Sequence, residues 1–135
     1  RTPFTLTATV DRNESTLSVP AFNPLNYLNI PSGATHFRII NALSVVSDTV
    51  YNPTTGAYEP AEPTLNEVSN IAYSDYTPVD AVTALIDVTA ILPDAPTMTI
   101  NVAVLGSIGI EFYQMVGSNY YLFNAGNALK IQETF

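Results

Sequence analysis

Few residues in this chain can do chemistry, and their spacing limits what they can attempt. Asp11, Asn13 and Ser15 alternate as the first three oxygen ligands of a calcium loop would. The sixth position of that pattern is Thr16 instead of glycine and the twelfth is Phe22 instead of glutamate, so an Asx-type turn explains the same residues. Asp75, Asp80 and Asp87 could be paired as carboxylates for glycoside hydrolysis, but scattered acids are expected on a chain of net charge −8. His36 is the only histidine and there is no cysteine, so a transition-metal site would need carboxylates for its other ligands. Beside Arg38 in a strand pattern, His36 reads as a rim residue more readily than as a catalytic base. Neither GxSxG, HExxH nor a phosphate-cradling loop occurs. The expectation is a chain that is not an enzyme and carries no cofactor or metal.

What remains is contact chemistry. Tyr51, Tyr58, Tyr73, Tyr76, Tyr120 and Tyr121 could stack on sugar rings, although tryptophan, the best such platform, is absent. Four basic residues (Arg1, Arg12, Arg38, Lys130) face twelve acidic ones. Binding to nucleic acid or to an anionic membrane surface needs a basic footprint, which is missing. No apolar run is long enough to span a membrane as a helix. Charged residues make up only 12% of the chain against about 25% in an average domain. Thr, Asn, Ser and Tyr must therefore cover much of the surface, and so few charges favour association.

These side chains must be positioned by strands. The segment 97–123 is the spine: Met98, Ile100, Val102, Val104, Ile108, Ile110, Phe112 and Val116 fall on even positions, a period of two. Gly117-Ser118 suits a two-residue hairpin turn, which would set Phe112 opposite Phe123 and Tyr113 opposite Leu122. A strand of about twenty residues would run about 65 Å, so a bend or bulge is expected at Gly106-Ser107, with two strands and a loop as the alternative.

Elsewhere, 4–10 alternates threonine with Phe4, Leu6, Ala8 and Val10, and 16–19 returns from the turn. In 35–46, Phe37, Ile39, Leu43 and Val45 share one face, and apolar residues on both faces suggest a central strand. The segment 52–66 holds three of the ten prolines and reads as a long loop, either functional or an extended connector; Glu59 and Glu62 could add polar ligands there. Strands are expected at 68–76, with Ile71 and Tyr73 inward, at 81–90, and at 128–134, with Leu129 and Ile131 inward. With 135 residues the chain reads as a single domain. Eight or nine strands at short spacing and no substantial helix predict an all-β fold, an antiparallel β-sandwich of immunoglobulin-like kind.

The stretches PSGATHFRI (31–39) and IEFYQMVGSNYYLFNAGNALKI (110–131) resemble the C-terminal half of a group of uncharacterised Bacteroidetes (flavobacterial) proteins, which carry a basic N-terminal half ahead of a β-rich region. The resemblance runs from about Phe4 onward and rests on turns, a hairpin and aromatic residues. It implies a bacterial origin and a longer precursor in which Arg1 is not the true start; it transfers no activity and no site residues.

The functional expectation is a structural subunit that associates with itself in an extracellular or cell-surface filament, sheath or shell. Strand-edge pairing and uncharged polar or aromatic contacts would hold it. Phe4, Leu6, Ala8, Val10, Tyr51, Tyr58, Tyr120, Tyr121, Leu129 and Ile131 are the candidate contact residues, and the two terminal strands are the ones most easily exchanged between copies. The alternative is a monomeric carbohydrate-binding or adhesive module using the loop from Tyr51 to Glu62.

Overall fold

The computed structural model describes residues 4–135, so Arg1, counted among the basic residues above, lies outside the described part. The chain's regular structure is almost entirely antiparallel strand. β1 (Thr5–Ala8), β2 (Glu14–Val19) and β8 (Ile86–Ile91) form a three-stranded sheet in the order β1-β2-β8. The larger, six-stranded sheet is built on β3 (His36–Ser47) and β9 (Val102–Val116). β6 (Ser69–Tyr73) and β7 (Thr77–Pro78) share the free edge of β3; β10 (Asn119–Leu122) and β11 (Ala128–Thr134) share that of β9. Among the described residues the only helix is α1, a single turn at Pro24–Tyr27 that Asn23 caps by accepting from the Leu25 N–H at 3.2 Å. A separate hairpin, β4 (Thr49–Asn52) and β5 (Ala57–Pro60), completes the eleven strands of the described residues.

The two main sheets pack face to face as a sandwich. The even positions of β9 from Val102 to Phe112 point inward, as their period predicts, and meet the odd positions of β3: Phe37 opposite Phe112, Val45 opposite Val104; Gln114 and Val116 beyond them are exposed. Burying each of these side chains stabilises the fold by about 1.5–3 kcal/mol. The core has two clusters, one around Leu43, Val45, Ala90, Leu92, Val102 and Val104, the other around Leu17, Phe22, Phe37 and Phe112. Between them on β3 lies Asn41, fully buried, whose Nδ2 donates to the main-chain oxygens of Val88 (2.9 Å) and Ser15 (3.1 Å) across the sandwich.

The Gly117-Ser118 turn forms with the expected register, Tyr113 opposite Leu122, and only its first residue has positive φ (+63°). Other expectations need correction. The spine strand begins at Val102, not at 97, and passes Gly106-Ser107 without a break in its pairing to β3. The bulge lies on the opposing strand, at Gln132 between Ile131 and Glu133. Gly106 serves a different end: a Cβ there would come 2.8 Å from the Phe135 ring, so its bare backbone makes room for packing. The segment 52–66 is no open loop, because Tyr51 and Tyr58 pair across the β4–β5 hairpin, whose turn contains Gly56 at φ +73°. β8 is shorter than the span 81–90, and Val82 and Leu85 are exposed. Ile71 and Tyr73, and likewise Leu129 and Ile131, point outward: they lie opposite Ala42, Ile40, Gly109 and Ser107, which face away from the core.

Candidate functional site

The outward-pointing residues gather on one surface, the outer face of the large sheet. β3 contributes His36, Arg38, Ile40, Ala42 and Val46; β9 contributes Gly109, Glu111 and Tyr113 in register beside Ile40, Arg38 and His36, with Met115 beyond them opposite Tyr120. β6 adds Ile71 and Tyr73, β10 adds Tyr120 and Leu122, and β11 adds Leu129 and Ile131. Period two assigns every one of these positions to the same side.

One end of this face is polar and aromatic. Arg38 and Glu111 are cross-strand partners with Nη2 and Oε1 3.6 Å apart, and Tyr113 joins them. Its hydroxyl accepts from Arg38 Nη2 at 2.6 Å and donates to Glu111 Oε1 at 2.7 Å. The guanidinium also lies over the rings of Tyr73 (4.1 Å) and Tyr76 (4.7 Å). Tyr76 stacks flat on Tyr120 with centroids 3.8 Å apart and meets Tyr113 edge-on; His36 meets Tyr120 edge-on at 5.0 Å. Burial, then the hydrogen bond to Glu111, pushes the Tyr113 hydroxyl up to about 12, although Arg38 pulls the other way. Burial lowers the Arg38 guanidinium, but the Tyr113 hydroxyl and the nearby Tyr76 and Glu111 outweigh it and hold the group above its ordinary value. Each member satisfies another, so the cluster acts as a brace with the stacked tyrosine pair on its outside.

The other end is aliphatic and has relief. Ile71 and Tyr73 on β6, and Leu129 and Ile131 on β11, form two ridges. Between them lies a trough of about 340 Å3, lined by Ile40, Ala42, Ile71, Tyr73, Glu111 and Leu129 among others. The ridges are open to solvent: Ile71 is 53% exposed, Leu129 59% and Ile131 63%. β11 is an edge strand of its sheet.

The expected contact residues are thus divided among separate places. Tyr120, Leu129 and Ile131 share the outer face, whereas Tyr121, next in sequence, lies opposite Gln114 on the other side of its sheet. Tyr51 and Tyr58 meet edge-on at 5.3 Å on the hairpin, beyond the far end of β3 from Tyr120. Leu6 and Ala8 point inward from β1, Phe4 packs into the core, and Val10 lies outside the strand in the β1–β2 turn, 95% exposed. The catalytic and metal candidates also separate. Ser15 is buried against Asn41 while Asp11 is exposed, so the calcium-like pattern does not converge. Asp87 lies on β8 of the small sheet, whereas Asp75 follows β6 of the large one. Among the described residues no group of three or more His, Asp or Glu could hold a metal ion.

The Arg38–Glu111–Tyr113 brace was not evident from sequence, because its members are 73 and 75 residues apart in the chain. Asn41 had a local signal: it occupies the apolar parity of its strand, between Ile39 and Leu43. No family model, curated protein or solved structure matches this chain.

Proposed function

We propose that this chain is a non-catalytic structural subunit that associates with copies of itself through the outer face of its large sheet, in an extracellular or surface assembly such as a filament, sheath or shell. The observation that carries this reading is the pair of exposed, largely apolar ridges flanking a trough on one sheet face. Such a surface is self-complementary: the Leu129–Ile131 ridge of one copy fits the trough of another, and the same contact repeats in reverse about a twofold axis. The β11 edge can extend the contact by strand pairing, with a further edge at β1 for growth. A surface with few charges and many threonines, asparagines and serines suits close contact between identical copies, where like charges would repel.

Light scattering on the native protein across a dilution series tests the reading. Assemblies above the 14.6 kDa chain mass should persist on dilution. The double substitution Leu129→Lys and Ile131→Lys, both at exposed positions, should dissolve them. A monomer at every concentration would refute the reading.

A second reading, a carbohydrate-binding or adhesive module, is favoured by Tyr51 and Tyr58, which are 54% and 74% exposed on the hairpin. Glycan binding that is lost in Tyr58→Ala, by a protein that stays monomeric, would select it.

A further inference from the structure

Between the sheets, toward β11, the inner layer is incompletely filled and leaves a cavity of about 360 Å3 open to solvent. The three-stranded sheet is narrower than the six-stranded one it covers. The wall is predominantly apolar, from Leu17 and Val19 on β2, Ile39 on β3, and Ile108 and Ile110 on β9. Its one charged lining residue is Lys130, opposite Ile108 on the β11 edge and solvent-exposed.

Lys130 stands apart from the other described cations. Arg12 donates to the main-chain oxygens of Thr99, Val102 and Phe135, and Arg38 is held by Tyr113 and Glu111. The Lys130 ammonium makes no hydrogen bond or ion pair among the described residues. On a chain of net charge −8 it is a local positive point beside an apolar slot.

We propose that this cavity binds one medium-chain fatty carboxylate, with the hydrocarbon between the sheets and the carboxylate at Lys130. The size fits: if each carbon takes about the 30 Å3 that a water molecule takes in the liquid, the space holds about a dozen carbons. The wall chemistry favours hydrocarbon over an inserted peptide strand, whose N–H and C=O groups would find few partners on an apolar wall. Charge complementarity selects an anionic head group over a neutral or cationic one.

Calorimetric titration of the full chain with dodecanoate below its micelle concentration tests this, with methyl NMR spectra to locate the ligand. One molecule per chain is expected, with shifts at Leu17, Val19, Ile39, Ile108 and Ile110. Affinity should fall about three- to fourfold for each methylene removed on going to octanoate. Lys130→Glu, at an exposed position that does not threaten folding, should weaken dodecanoate at least tenfold and leave dodecanol unaffected. Absence of saturable binding would overturn the proposal, as would shifts confined to Ile71 and Ile131 on the outer face. Equal affinity of the parent and Lys130→Glu proteins for dodecanoate would overturn the carboxylate assignment.

Discussion

Asn41 and Val88 are joined across the sandwich by a 2.9 Å hydrogen bond from a side-chain amide to a main-chain oxygen, in a place with no access to water. A polar group in such a place is stabilising only while its partners are present. Asn41→Leu keeps approximate size but leaves the Ser15 and Val88 oxygens without this donor. A loss of about 2–4 kcal/mol is expected, read from denaturant midpoints at unchanged slope.

Tyr113 makes the brace sensitive to alkali. Its folded pKa of about 12 lies above the ordinary tyrosine value near 10, so the fold prefers the protonated hydroxyl. The contribution is fully present below about pH 10 and is lost as pH rises toward 12. Tyrosinate absorbance should show a late-titrating component, and Tyr113→Phe should remove it. The same variant should flatten the fall in stability across that window.

Gly109 is needed for close approach. An added Cβ would come 2.5 Å from the main-chain oxygen of Ala128, which cannot move without shifting β11. Gly109→Ala is expected to cost about 3 kcal/mol and to speed amide hydrogen exchange along β11. Gly56→Ala is the comparison: a Cβ there meets nothing within 4 Å, so only the strain of its positive φ remains, about 1–2 kcal/mol.

Arg12 ties the β1–β2 turn to the last strand through Phe135 and to the entry of β9 through Thr99 and Val102. Arg12→Ala should lower stability by about 1–3 kcal/mol. Arg12→Lys should rescue little, because one ammonium cannot reproduce the fork that reaches three carbonyls.

The terminal strands test exchange between copies. A chain lacking 4–10 leaves Leu17 and Val19 without the cover of Phe4 and Leu6. If β1 is exchanged in the assembly, a peptide of that sequence should restore folding and large mass together. If β1 serves its own chain, the peptide restores a monomer.

Period two made much of this fold legible, since it sorts Phe37, Ile39, Leu43 and Val45 onto one side whatever the tertiary context. Gly117-Ser118 fixed a register because turn length leaves a hairpin little choice. Period two does not say which side faces the core, and there the expectations for Ile71, Tyr73, Leu129 and Ile131 failed. Those strands carry apolar residues outward, so hydrophobicity pointed the wrong way. The prolines of 52–66 concealed a hairpin because Pro53 lies in its turn and Pro60 at a strand end, where a missing N–H is tolerated. The brace depended on β3 and β9 meeting in one register, a long-range fact that no local window contains.

The β3–β9 ladder runs without a break from His36 opposite Tyr113 to Ser47 opposite Val102, past both hydrophobic clusters and the buried amide between them. Neither half of the core can open by sliding or peeling away without disrupting a backbone that the other half also uses. The polar seam therefore does not divide the protein into two folding units. Unfolding is expected as one cooperative transition, and the slowest-exchanging amides should lie along this shared ladder.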